Sequence, residues 1–281
     1  MSYTTFYYNA RWWVRWGDRL LGGYSANGLR SYVFPLYSPA GMLVLQEAPP
    51  DHPHHQGVWV GLEINGYDLW NAGSRRLPGH RQEAAPALPQ LQPDIGADGV
   101  RFAHEVHWRT EGGDELLRER RTVVFRAGGA PGAMVTVVEW ASTFYHPTQA
   151  VHLGQTKEAG VGLRVPPHWE TVHGGRIRNA WGDTGEAGAF DKLSPWLNIE
   201  GRAAGDAVAG LLFAPLPKSE PCPWFTRDYG VHVYNPARHR AIELAPNEPL
   251  TWAVQVIAYD GRRSVDELER LVAQAQMAGS R

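Results

Sequence analysis

Three apolar, β-rich segments, residues 100–109, 115–126 and 133–144, follow one another with only short turns between them. The turns are Glu111-Gly112-Gly113-Asp114 and Gly128-Gly129-Ala130, built from residues that favour tight reversals. Connections this short join antiparallel neighbours, because a parallel pair needs a crossover of a dozen residues or more. The block predicts a meander, and so an antiparallel sheet.

The rest of the chain reads the same way. Residues 1–25 predict two strands about a Gly17-Asp18 turn. Tyr32-Val33-Phe34 and Met42-Leu43-Val44-Leu45 flank Ser38-Pro39-Ala40-Gly41, which has the residues of a tight turn. A strand is expected at 58–62, and Asn65-Gly66 is a strong hairpin signal from which 67–70 returns. Residues 71–99 are rich in Pro, Gly and Ala and leave their structure open until the Asp98-Gly99 turn. Short strands follow around His152 and at 160–165, 175–180, 195–200, 207–214, 229–234, 240–244 and 250–259, with a Pro-rich loop at 215–224. One helix is predicted, over 262–278. Ser264-Val265-Asp266-Glu267 is a capping box, and Val265, Leu268, Leu271 and Val272 form a stripe for packing outside the sheets. No helical pattern lies between strands, and no Gly-x-Gly-x-x-Gly or P-loop sequence is present, so a nucleotide-binding α/β fold is not expected. No repeat period points to a propeller. The expectation is all-β: one large antiparallel β-sandwich domain over residues 1–281 with an appended C-terminal helix.

With 281 residues the chain can bury a substantial core. A net charge of −2 gives no electrostatic reason for nucleic acid or an anionic membrane as partner. The basic pairs Arg75-Arg76 and Arg120-Arg121 read as solvated faces. The single cysteine, Cys222, allows no internal disulfide and fits a reducing cytoplasm. It lies between two prolines with no basic neighbour, which suits a structural thiol rather than a nucleophile. The first residues lack the pattern of a signal peptide, and no apolar run approaches the roughly 18 residues of a membrane span, so a soluble cytoplasmic protein is expected. The chain holds 12 Trp, which suits sugar binding because an indole face stacks on the C–H face of a pyranose. For most of them core packing is the expected role.

Chemistry concentrates at Asp51-His52-Pro53-His54-His55-Gln56-Gly57-Val58-Trp59, where three of the 12 histidines fall within four positions. Histidine titrates nearest neutrality and is the commonest metal ligand. Pro53 constrains the directions of His52 and His54. The stretch is either a polar surface turn or a site. His52 and His54 form a His-x-His pair of the cupin kind, but the first following acid is Glu63, beyond a full strand, so cupin spacing fails. His-Glu-x-x-His is absent too. A mononuclear metal on His52, His54 or His55 with a distant Glu or His stays open as a lesser alternative to acid–base use, and no cofactor is expected.

Two further polar clusters follow. Lys157 and Glu158 precede the 161–165 strand; as adjacent residues they reach one pocket only if the strand has not begun or bulges there, and otherwise form a solvated pair. His152, Glu158 and Arg164 share one parity, so a regular strand would put them on one face. Trp224-Phe225-Thr226-Arg227-Asp228-Tyr229-Gly230 is either a structural ion pair or a place for binding carboxylates and hydroxyls.

In series these segments resemble the bacterial DUF6807 family, whose members often carry the automatic name "PmoA family". The matching text is 32–41 (YVFPLYSPAG), 50–70 (PDHPHHQGVWVGLEINGYDLW), 157–165 (KEAGVGLRV), 175–182 (GRIRNAWG) and 223–236 (PWFTRDYGVHVYNP). Departures are Gln56 where the family usually has Arg, Ala159 where it has a second Gly, and residues 196–198, which lack its usual acidic-aromatic pair. The "methane oxygenase" reading of the automatic name does not suit a chain without a membrane span. The resemblance implies a sandwich similar to the galactose mutarotase-like supersandwich. The His-containing loop looks like that of aldose epimerases, and residues 245–252 (APNEPLTW) resemble the turn before their last long strand. Members also tend to sit among sugar dehydrogenases and isomerases, which implies carbohydrate catabolism.

The expected function is therefore acid–base catalysis on a modified or oxidised sugar, as an epimerase, hydrolase or lyase. His54 or His55 would be general acid or base, Glu158 the opposite partner, and Lys157 or Arg227 the neutralising cation. Trp59, Trp70, Trp181 and Trp224 are candidates for the stacking platform. Asp228 and Asn71 are candidates for binding hydroxyls, with Asp51, His52, His152, Arg164 and Tyr229 completing the lining. The alternatives are a non-catalytic sugar-binding or sensing protein and a metal-dependent enzyme with His ligands. The expected partner is a small-molecule carbohydrate, with neither nucleic acid nor membrane, and exposed sandwich faces are compatible with a homodimer.

Overall fold

Val100, Phe125, Val138, Val256, Phe213 and Leu197 stand opposite one another in turn, forming an apolar row across neighbouring antiparallel strands. All six are buried in one core. The computed structural model describes residues 1–72, 79–129, 133–202, 205–217 and 219–279, and the expected Arg75-Arg76 pair and Ala130 lie outside these. The row belongs to a nine-stranded sheet. Its order is Arg176–Asn179, Leu197–Arg202, Val208–Pro215, Leu250–Asp260, Val135–Tyr145, Glu115–Gly128, Gly99–Arg109 and Arg81–Ala85, with Asp94–Gly96 beside Gly99–Arg109. The predicted meander forms its centre. Burial alternates along Gly99–Arg109, as a strand with one face on a core requires.

An eight-stranded sheet covers the inner face of the first. Its order is Tyr3–Tyr8, Arg11–Trp16, Arg19–Ala26, Ser31–Leu36, Val58–Gly61, Gly160–Arg164, Val231–Tyr234 and Trp224–Thr226. Val14, Leu21, Val33, Val58 and Leu163 from this sheet meet the apolar row in the same core. The molecule is a large antiparallel β-sandwich. A small third sheet joins Ile242–Leu244, Val151–Leu153, Glu63–Ile64 and Tyr67–Asp68. The Asn65-Gly66 hairpin forms there, with φ of 52° and 84° at the two turn residues, the left-handed pair that a two-residue hairpin requires.

The capping box also forms: Ser264 N donates to Glu267 Oε2 at 2.8 Å, and Glu267 N donates to Ser264 Oγ at 3.3 Å. The helix runs Val265–Gly279 rather than 262–278. Leu268 and Ala275 pack on Val137, Leu212 and Ile257, the outer face of the nine-stranded sheet. No helix among the described residues is long and apolar enough to cross a membrane.

Several expectations are corrected. The first 26 residues hold three strands, because Asn9 and Ala10 reverse the chain with positive φ as well as Gly17. Residues 42–45 give one bridge, Tyr37 to Leu43, instead of a strand. A short helix, Gly185–Ala189, and the strand Trp224–Thr226 were not foreseen. Arg121 is not a solvated residue but is buried. Its guanidinium clasps Glu119 through Nε and Nη2 at 2.7 and 2.6 Å, reaches Ser31 Oγ and Gln82 Oε1 at 2.8 Å each, and lies 4.6 Å from the Trp140 ring. Gln82 in turn donates to Val60 O at 2.7 Å, so this polar network bolts the two sheets together. Cys222 is buried, and burial pushes its thiol up to about 12, which suits the structural role.

Candidate functional site

The outer face of the eight-stranded sheet carries its own apolar cluster. Strand residues alternate faces, so Trp59 turns away from the core that its neighbours Val58 and Val60 join. It meets Trp70, Tyr32, Phe225, Val231 and Val233 on the outer side. The two indoles lie 5.3 Å apart between centroids.

The histidine loop folds onto this platform. Residues 46–57 double back as a narrow arm: Ala48 N donates to His55 O and Gly57 N to Gln46 O, both at 2.8 Å. At the tip His55 N donates to His52 O at 2.9 Å, a tight turn around Pro53. Two further bonds fasten the arm to the Gly160–Arg164 strand, Gln46 N to Arg164 O at 2.8 Å and Arg164 N to Gly57 O at 2.9 Å. Gly57 is required where the arm enters the sheet. Its φ is 57°, and a Cβ there would lie 1.9 Å from Val33 O.

On this arm the rings stack in sequence. His55 lies on Trp59 with centroids 5.0 Å apart, His52 on His55 at 4.7 Å, and Tyr229 on His52 at 5.1 Å. His54 stands edge-on to His55 at 4.6 Å. Arg164 binds the stack from the side. Its Nη2 donates to Asp51 Oδ2 at 3.1 Å and to Glu170 Oε1 at 3.2 Å, its Nη1 lies 3.4 Å from His55 Nδ1, and its charge sits 5.1 Å from the Tyr229 ring. Asp51 Oδ2 also accepts from His52 Nδ1 at 2.7 Å.

These contacts fix the proton inventory. In the tautomer that donates Nδ1–H to Asp51, Nε2 is the acceptor of the His52 ring. Burial works to raise the Asp51 carboxyl, but the His52 hydrogen bond and the Arg164 charge outweigh it and hold it below its ordinary range. Burial, then the Arg30 charge and His52, push His54 down to about 4. His55 is pushed down further, by burial first and then by His54, His52 and Arg164. Both are neutral at pH 7. Burial, then Glu158, raises Tyr229, so the phenol stays protonated. His54 Nδ1 and the indole nitrogens of Trp59 and Trp70 are buried without hydrogen-bond partners.

The structure thus brings Asp51, His52, His54, His55, Trp59, Trp70, Arg164 and Tyr229 into one cluster. Glu158 joins at its edge, near enough to act on Tyr229. Lys157 pairs with Glu158 at 3.2 Å but is itself 69% exposed. The strand begins at Gly160, after this pair, so the condition for the two to point the same way is met. Arg227 touches the cluster through Tyr229, while its guanidinium pairs with Glu186 between the Phe190 and Phe225 rings. Asp228 bonds reciprocally with Glu186 across two backbone amides.

Other candidates lie apart. His152 and Arg164 do not line one face: Val151–Leu153 belongs to the small third sheet and Gly160–Arg164 to the eight-stranded one. His152 pairs there with Glu243. Trp224 is wholly buried against Phe213 and Tyr234, with its Nε1 donating to Ser194 O at 2.8 Å. Trp181 is 67% exposed and donates to Leu193 O. Asn71 donates to Asp68 Oδ2 at 2.6 Å, next to Trp70 in the chain.

Arg30 and Glu170 were not foreseen. Arg30 is buried beside His54, and its Nη2 donates to the carbonyls of Trp70 and Ala72 at 3.2 and 2.5 Å. Its Nε and Nη1 have no partner. Burial, then the Arg121 charge, lowers it to about 10, so it remains a cation at neutral pH. No local pattern marks it, since its partners lie some 40 residues on. Glu170 follows Trp169 in a short 3-10 turn and shows its role only through Arg164. Among the described residues no group of three or more His, Cys, Asp or Glu is arranged to hold a metal ion. The two guanidiniums beside the rings also oppose a third cation electrostatically.

A family model described as "Family of unknown function (DUF6807)" matches residues 14–273. No curated protein matches the chain.

Proposed function

The chain belongs to the DUF6807 family, and we propose that it is a carbohydrate-active enzyme that moves a proton on a modified or oxidised sugar. The observation that carries this reading is the Asp51–His52 pair, a carboxylate holding Nδ1–H of an imidazole whose Nε2 is free. That arrangement orients a base and stabilises the imidazolium it becomes. His52 is the accessible ring of the stack, its side chain 35% exposed, so it takes the proton. Neutral His54 stands beside it, and Glu158, near enough to act on Tyr229, is the opposite partner. Arg30, buried beside His54, adds a fixed positive charge behind the rings that favours a developing negative charge on the substrate. Epimerisation, lactone or glycoside cleavage, and β-elimination next to a keto or carboxylate group all use such an acid–base pair. The sandwich and its aromatic platform support the likeness to the galactose mutarotase-like supersandwich that the family resemblance implies.

A second reading, a sugar-binding or sensing protein, is favoured by one observation. Burial keeps His54 and His55 neutral, which suits holding hydroxyls better than exchanging protons near pH 7. Screening sugar acids, lactones and glycosides against wild type, His52→Ala, His54→Ala and Glu158→Gln separates the two. Turnover that drops by orders of magnitude in folded variants supports the enzyme. Binding that these variants abolish, with turnover on no sugar, replaces it with the sensor.

A further inference from the structure

At the edge of the nine-stranded sheet, Arg176 stands opposite Glu200 and Arg178 opposite Asn198. Residues two apart share a face, so these four side chains project from one side while Ile177, Leu197 and Ile199 turn into the core. Tyr259, fully buried, braces two of the four from beneath. Its ring lies across Gly210, where a Cβ would come within 2.1 Å of it, and its hydroxyl bonds Asn198 Oδ1 at 2.5 Å and Glu200 Oε1 at 3.2 Å. Arg262 and Arg263, just past the Leu250–Asp260 strand, form the opposite wall. Arg178 Nη2 ties that wall down through Arg263 O at 2.8 Å.

The result is a pocket of about 620 Å³ with four arginines in its lining, which includes none of His52, His54 and His55. Glu200 and Asp228 are its two carboxylates, so the lining keeps a net charge of +2. Both acids already accept hydrogen bonds, Glu200 from Tyr259 and Asp228 from Glu186 N. The side chains of Arg176 and Arg262 have no ion-pair or hydrogen-bond partner among the described residues. Arg263 Nη1 is paired with Glu267 at 3.4 Å, while its Nε is buried and unpartnered. Like charges gathered round a cavity repel one another unless an anion joins them. Guanidinium forks match the oxygens of a phosphate two at a time. The volume lies in the range for a small organic ligand and leaves room beyond a phosphate group. Thr184 offers a neutral polar group for that remainder.

We infer that this pocket binds a small hydroxylated phosphate monoester, with the phosphate held by Arg176, Arg178 and Arg262. Calorimetry on the intact protein tests this with glucose 6-phosphate, inorganic phosphate and succinate as probes. The ester is expected to bind more tightly than either small anion and more weakly as salt rises. The double substitution Arg176→Gln, Arg262→Gln touches two exposed side chains and is expected to weaken ester binding at least about tenfold, the loss of one or more charge-assisted hydrogen bonds. His52→Ala is expected to leave it unchanged. Three results overturn the inference: no ester binding, binding indifferent to the double substitution, or inorganic phosphate or succinate binding as tightly as the ester. None of these measurements reads turnover, so the reading of the histidine loop stands or falls separately.

Discussion

The rings of His52 and Tyr229 lie face to face, 3° from parallel with centroids 5.1 Å apart. The two residues are far apart in sequence, and the second comes from the loop between the strands Trp224–Thr226 and Val231–Tyr234. The proposed base is thus positioned by two loops from different parts of the chain. Tyr229→Phe keeps the ring and is expected to keep activity near wild type. Tyr229→Ala releases one face of His52, and turnover on the sugar substrate is expected to fall roughly 10- to 100-fold, the scale of a misplaced catalytic group. Steady-state kinetics of the two variants check this.

Arg164 holds Asp51 and Glu170 while lying almost fully buried. Removing it as Arg164→Met leaves two carboxylates without their cation, and stability is expected to fall by roughly 3 kcal/mol. Arg164→Lys is expected to recover only part, because a point charge cannot fork between two acids and cover a ring. Urea unfolding at pH 7 provides the comparison.

The depressed histidines set an acid limit. A free histidine titrates near 6.5, whereas His54 in the fold titrates near 4 and His104 and His232 near 4 and 3. Above pH 6.5 neither the folded nor the unfolded chain is protonated at these groups, and the stability they allow is fully present. Below it the unfolded chain takes up protons that the fold refuses, so stability is lost as pH falls from 6.5 towards 4. At pH 5 the share of His54 amounts to about 2 kcal/mol. His54→Gln is expected to lose about that much less than wild type between pH 7 and pH 5. Equal losses would count against the depressed value.

Arg121 and Glu119 form a pair with no exposed side-chain surface. Arg121→Met alone is expected to cost about 3–5 kcal/mol, since it strands a buried carboxylate. Adding Glu119→Gln removes that charge and is expected to restore much of the loss. A double-mutant cycle by chemical denaturation measures the recovery.

Gly57→Ala puts a methyl against Val33 O at a positive φ. The arm must shift off the sheet, and a loss of at least about 2 kcal/mol is expected, together with weaker sugar binding. Thermal unfolding and titration with a bound sugar read the two effects.

What could be read in advance was whatever a short stretch decides alone. The meander, the Asn65-Gly66 hairpin and the Ser264 cap depend on alternation, turn chemistry and spacing within a dozen residues. The crowding of histidines at 52–55 was likewise plain. The turn at Asn9-Ala10 was not, because alanine at positive φ carries no signal of its own. Residues 42–45 have the composition of a strand but find only one bridging partner. Composition also could not divide the tryptophans: Trp224 is core and Trp59 is platform because of which face each strand presents. The shared parity of His152 and Arg164 failed because the chain changes sheets between them. Arg30 answers to carbonyls some 40 residues on, and nothing near it in sequence points there.

The guanidinium of Arg164 has a consequence for how such a chain can vary over time. Positions 51, 55, 170 and 229 all answer to it, two through charge, one through a ring nitrogen and one through a ring face. A lineage that exchanges Arg164 must refit all four together, whereas drift at any one of them is checked by the other three. Differences at these five places should therefore be inherited as a block.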